Sequence, residues 1–208
     1  MKKAVLAYQV LRKNRSMHSG LSMVVLASIV MSFFAGGLWA FRLQTADEAL
    51  TALFPDCKFE AVSKELVGVK LESLRQKLGG SIFYTKGTKY EEANSHTITF
   101  NLASKAGKKQ GVALISAQPG KWGPVEVMIA MDMQGKVKKV VVLLLEETRG
   151  RPVVRQTFLG QFIGKTFRDK IKIGEDVLSV SGATVSSESA AFAVKKAVLL
   201  YEALMLNE

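Results

Sequence analysis

The residues best suited to chemistry form one short run, Ser181-Gly182-Ala183-Thr184, followed by Val185, Ser186 and Ser187. Behind it lies an apolar-periodic stretch that predicts a helix to about Leu206. A helix N-terminus carries N–H groups without intrahelical acceptors and a partial positive charge, which together favour a phosphate. Gly182 and Ala183 let a bulky ligand approach the main chain, and Thr184 puts a hydroxyl where the phosphate would sit. That hydroxyl could hydrogen-bond a phosphate or be esterified to one. The same residues also read as a plain strand-to-helix turn capped by Ser186 or Ser187, and by themselves they leave both readings open.

Other chemistries find little support. The stretch "GQFIGKT" has three residues between Gly160 and Gly164, where a phosphate-binding loop needs four, and Leu159 stands where the first glycine should be. It reads as a helix with glycine near its end. His18 and His96 are far apart, and Cys57 is the only cysteine, so neither a zinc site, a His-dependent triad nor an internal disulfide is expected. The net charge of +11, from 29 basic and 18 acidic residues, fits nucleic acid, an anionic membrane surface or an acidic partner. No basic-aromatic cluster supports nucleic acid.

The elements that must position Thr184 begin with a membrane segment. Residues 1–19 are a basic N-terminus with Lys2, Lys3, Arg12, Lys13 and Arg15 and no acid. Residues 20–41 carry no charge and would reach about 33 Å as a helix, enough to cross a bilayer core. Only Arg42 follows closely, so the charge asymmetry puts the N-terminus in the cytoplasm and the rest outside. A cleaved signal peptide is the rival, but its apolar region would be shorter. Residues 42–78 read as a membrane-proximal helical segment, with a helix over 45–56 stopped by Pro55 and another over 71–78. Residues 79–208 form the main domain. Within it, "GGSIFYTKG", "HTITFNLA" and "QGVALISA" read as strands, and residues 123–147 as a hairpin turning at Gln134-Gly135-Lys136. "FLGQFIGKTF" reads as helical. The fold class is α+β, an antiparallel sheet with flanking helices on one N-terminal transmembrane helix.

Four segments, in order and spacing, resemble the FMN-binding domain family, whose members include subunits of the Rnf complex and of the sodium-pumping NADH:quinone oxidoreductase. They are Trp122-Gly123-Pro124-Val125, the segment Leu145–Gly150, the block "FLGQFIGK" and Ser181–Thr184. The resemblance implies FMN as cofactor, linked by a phosphoester to Thr184, with Ser181, Gly182, Ala183, Val185 and Ser186 around the phosphate. It also implies that the isoalloxazine lies toward Trp122, Gly123, Glu147 and Thr148. Two positions depart from the family pattern. Leu178 stands where flavinylated members carry an acid, and Arg149 replaces a proline.

On this resemblance the chain is expected to be a membrane-anchored electron-transfer protein of the cell (inner) membrane, with its flavodomain on the periplasmic side. Its expected partners are membrane redox subunits, cytochromes or iron–sulfur proteins, and a flavin transferase for maturation. An extracytoplasmic ligand- or protein-binding module without flavin is the alternative.

Overall fold

The computed structural model describes residues 41–84, 94–146 and 151–206. The expected transmembrane segment lies outside the described residues except for Phe41. Among the described residues no helix is long and apolar enough to cross a membrane.

The described chain begins with a two-residue strand, β1 (Phe41–Arg42), followed by helix α1 (Ala46–Leu53). Thr45 and Glu48 close a reciprocal capping box at the start of α1, and Pro55 follows its end. Next come β2 (Lys58–Val67), α2 (Gly68–Lys77), β3 (Ser95–Lys105), β4 (Lys108–Pro119), β5 (Pro124–Met131) and β6 (Val137–Leu145). After 3₁₀ turns and a one-turn helix α3 (Gln156–Leu159), the long helix α4 (Thr184–Tyr201) ends in a π-helical turn, Glu202–Leu206. The strands make one antiparallel sheet in the order β1-β6-β5-β4-β3-β2. The α+β class is therefore as expected.

Both faces of the sheet are covered. Val125, Val127, Ile129 and Met131 of β5 face the main core, which α4 closes with Ala190, Ala193, Val194 and Ala197. The opposite face, with Met128 and Ala130, lies under α1, whose Leu50 pairs with Phe54 in a second cluster. Ala103, Ala113 and Ala130 floor that cluster, so a short helix can dock closely on small side chains.

Three local expectations are corrected. The helical segment over 42–78 contains a ten-residue strand, β2, which pairs with β3 along its whole length. "GGSIFYTKG" is not a strand where it is described: Ile82 drops into the core, and the Tyr84 N–H is donated to the Gln118 side chain at 2.9 Å instead of to a neighbouring strand. "FLGQFIGKTF" is helical only for its first five residues, 158–162, with a change to 3₁₀ at Gly160. Phe158 and Phe162 stack edge-to-face in the core with ring centroids 5.4 Å apart, and this anchors the block.

Candidate functional site

Helix α4 runs beside β5 from one end of the sheet to the other. At its far end Tyr201 donates its hydroxyl to the Met133 carbonyl at 3.0 Å, in the β5–β6 turn. At its near end Ser189 donates to the Pro119 carbonyl at 2.6 Å, where the β4–β5 turn begins. Thr184 lies five residues before Ser189, about 7.5 Å farther along the axis. The start of α4 therefore projects past the sheet at the end that carries Trp122. The end of β6 meets the same place, because Val125 pairs with Leu145. A Cβ on Gly123 would collide with the Glu146 side chain, so glycine lets that chain cross the turn. Phe41, opposite Leu145, begins the described chain at this end too.

The segment before Thr184 is held by side chains. Gln161 grips Leu178 twice: its Oε1 accepts the Leu178 N–H at 2.8 Å and its Nε2 donates to the Leu178 carbonyl at 3.2 Å. The Leu178 side chain itself is 74% exposed. Residues 180–183 then make a β-turn closed by the Ala183 N–H on the Val180 carbonyl at 3.0 Å, with Gly182 at φ +76°. A positive φ at the third position is the type II pattern, which glycine adopts without cost. Nothing lies within 4 Å of a Cβ built on Gly182, so the main chain there is open to a ligand.

Helix α4 starts at Thr184 with Ala183 as its N-cap, and no side chain caps it. This differs from the turn capped by Ser186 or Ser187. Both serines are inside the helix and fully buried. Ser187 Oγ accepts the Val180 N–H at 3.1 Å and donates to the Ala183 carbonyl at 2.9 Å, which ties the turn to the helix. Thr184, Ser181 and Gly182 are exposed, whereas Ala183 is buried. The expected residues Trp122, Gly123 and Ser181–Ser186 thus gather at one end of the domain, and Trp122 is 71% exposed. Glu147 and Thr148, like Arg149, lie outside the described residues.

Sequence reasoning assigned no role to Gln161, Lys165 or Asp176. The first two belong to the block "FLGQFIGK", whose phenylalanines bury and whose polar residues reach across to the 171–178 segment. Asp176 accepts from Lys165 Nζ at 2.7 Å, Lys172 N at 2.8 Å and Ile171 N at 3.0 Å. Burial works to raise its carboxyl, but Lys165 and the two amides outweigh it and hold the pKa at about 2. From an ordinary 3.8, this stabilisation is complete above the unfolded value and is lost as pH falls through about 2. Asp176→Asn should cost about 2 kcal/mol at neutral pH in chemical denaturation. The difference from wild type should shrink below pH 4. An equal difference at pH 2.5 and pH 7 would show that the ion pair is not the cause.

Among the described residues no group of three His, Cys, Asp or Glu side chains could hold a metal. Residues 120–199, from the β4–β5 turn through most of α4, match the FMN-binding domain family. This stretch is similar to FMN-binding domains. It includes the Trp122 turn, the Gln161 block and Thr184, and its cofactor is FMN. Among solved structures, the crystal structure of Shewanella oneidensis NqrC is similar, with 18% identity over 77% of this chain and 87% of that chain and a TM-score of 0.48. No curated protein matches the chain.

The residues present fit an FMN phosphate. Thr184 offers an exposed hydroxyl, the first-turn amides of Thr184 and Val185 have no side-chain cap, and Gly182 leaves the approach clear.

Proposed function

We propose that this protein is a membrane-anchored FMN electron carrier, with the flavin joined to Thr184 through a phosphoester. The observation that carries the reading is the position of Thr184. It is exposed at an uncapped helix start, at the sheet end that bears Trp122, within the stretch matched by the FMN-binding domain family. A flavin transferase would move FMN from FAD to Thr184 Oγ1 with release of AMP, the hydroxyl proton leaving to solvent. Ser181 and Gly182 flank the phosphate, and the amides of α4 offset its charge. Trp122 offers the ring a flat apolar surface, and Glu147 and Thr148 are proposed to complete that side. Bound FMN takes up one or two electrons, so it can link donors and acceptors of different stoichiometry. The protein holds the flavin in place and leaves part of it in reach of partners. Those partners are proposed to be membrane redox subunits, cytochromes or iron–sulfur proteins.

The anchor is residues 20–41, with the N-terminus in the cytoplasm and the flavodomain outside. A reporter fused after Glu208 should be active only on the outer side of the membrane, and a cytoplasmic signal would reverse the orientation. The function itself is tested on full-length protein made together with a flavin transferase. The purified chain should be yellow after denaturation, should gain the mass of one FMN and, once reduced and freed of dithionite, should pass electrons to a one-electron acceptor such as cytochrome c. Colourless protein of unmodified mass would favour the flavin-free binding module, a reading supported by the exposed Leu178 in place of an acid.

A further inference from the structure

Beside α4, a pocket of about 400 Å³ lies between the helix, the end of α2 and the loop 170–173. Its size suits a small-molecule ligand. Glu188, Ala191, Phe192 and Lys195 line it from one stripe of α4, with the i, i+3, i+4, i+7 spacing of a single helix face. Leu78, Ile171 and Ile173 form apolar wall, and Tyr84 packs against Phe192 with ring centroids 6.0 Å apart.

The charges in the pocket do not balance. Among the described residues four lysines line it, Lys77, Lys170, Lys172 and Lys195, against one carboxylate, Glu188. Glu188 is already engaged by the Tyr84 hydroxyl. Lys77 is paired with Glu202, and Lys170 and Lys172 share Glu175. Half-buried Lys195 differs: its Nζ donates to the carbonyls of Phe167 and Asp169, with no carboxylate of the described residues in ion-pair range. The nearest acids on the packed loop are committed elsewhere, Asp169 to Thr166 and Asp176 to Lys165 and two amides. Burial lowers the Lys195 pKa and outweighs the more distant charges of Asp176, Asp169 and Glu202, which act to raise it. Two carbonyls use two of its three N–H donors, leaving one for a ligand.

We propose that this pocket binds a small aromatic anion, its carboxylate or sulfonate on Lys195 and its ring along Phe192, Ile171 and Tyr84. Glu188 and Lys195 are seven residues apart, about 10 Å along the axis, which matches the length of a two-ring body. The anion belongs at the Lys195 end, because Glu188 would repel it at the other. The site is separate from the proposed flavin attachment, one helical turn beyond Thr184, and does not depend on it.

The test titrates naphthalene-2-sulfonate by calorimetry into full-length protein in phosphatidylcholine nanodiscs, with empty discs as blank. 2-Naphthol, nearly the same shape but uncharged at pH 7, serves as comparator. The sulfonate should bind at one site, about tenfold or more tighter than naphthol. Lys195→Met should remove that preference, and Lys195→Arg should restore part of it. Ala191→Trp, which crowds the pocket one helical turn before Lys195, should weaken both probes about tenfold or more in protein that keeps the wild-type circular dichroism. Flavinylated protein and Thr184→Val protein should bind the sulfonate equally. Equal affinity for the two probes, an unchanged Lys195→Met protein with wild-type circular dichroism, an unaffected Ala191→Trp protein, or binding lost only when flavin is attached would each overturn the assignment.

Discussion

Thr184→Val should abolish covalent flavin completely while leaving the fold intact. Valine keeps the branched shape at the first position of α4 and removes only the hydroxyl. Thr184 is exposed, and no helix cap depends on its side chain. The melting temperature should therefore stay within about 2 °C of wild type, as for surface changes worth less than about 0.5 kcal/mol. Intact mass should report the bare chain even with a competent transferase present. Thr184→Ser should retain some label. The burial of Ser186 and Ser187 sharpens the result, because neither hydroxyl can substitute as an acceptor without unwinding the helix start. Leu178→Asp should raise the flavinylated fraction without altering stability, because that side chain points to solvent while Gln161 holds its backbone. Full flavinylation of Thr184→Val protein would remove Thr184 as the attachment point.

Gly111→Ala should produce the largest loss of stability among single-methyl additions. Gly111 sits on β4 beneath Phe54, and a Cβ there would strike the Met131 carbonyl oxygen of the neighbouring strand. It would also lie 2.8 Å from Phe54 Cε1. The obstacle is backbone in the middle of the sheet, so it cannot rotate aside. Overpacking of this kind costs about 3 kcal/mol, or about 6–12 °C in melting temperature for a chain of this size. Gly160→Ala is the control: its nearest neighbour is the flexible end of Gln156, at 3.4 Å. A Gly111→Ala protein that melts with wild type would mean that neither the Met131 carbonyl of β5 nor Phe54 lies against Gly111 as described.

The sequence by itself determined the local elements with strong short-range signals. β3, β4, the β5–β6 hairpin and α4 all follow from apolar alternation, turn residues and helical periodicity. The turn and helix start at Ser181–Thr184 were legible for the same reason, since a small-residue turn before a helix is a local feature. β2 was not legible. It is an edge strand, mostly exposed, with Lys58, Glu60, Lys64 and Glu65 breaking any alternation, and only pairing with β3 makes it a strand. The burial of Met128 and Ala130 was hidden likewise, because α1 covers a face that the sequence pattern leaves ambiguous.

The gathering of residues far apart in the chain was decided by tertiary structure alone. Trp122 and Thr184 come to one end of the sheet because Ser189 and Tyr201 fix the two ends of α4 to opposite turns. The Gln161 grip on Leu178 and the Lys165–Asp176 pair span 17 and 11 residues. No periodicity encodes such contacts. They form only once Phe158 and Phe162 are buried and bring the polar residues between and beside them against the segment that leads to Thr184.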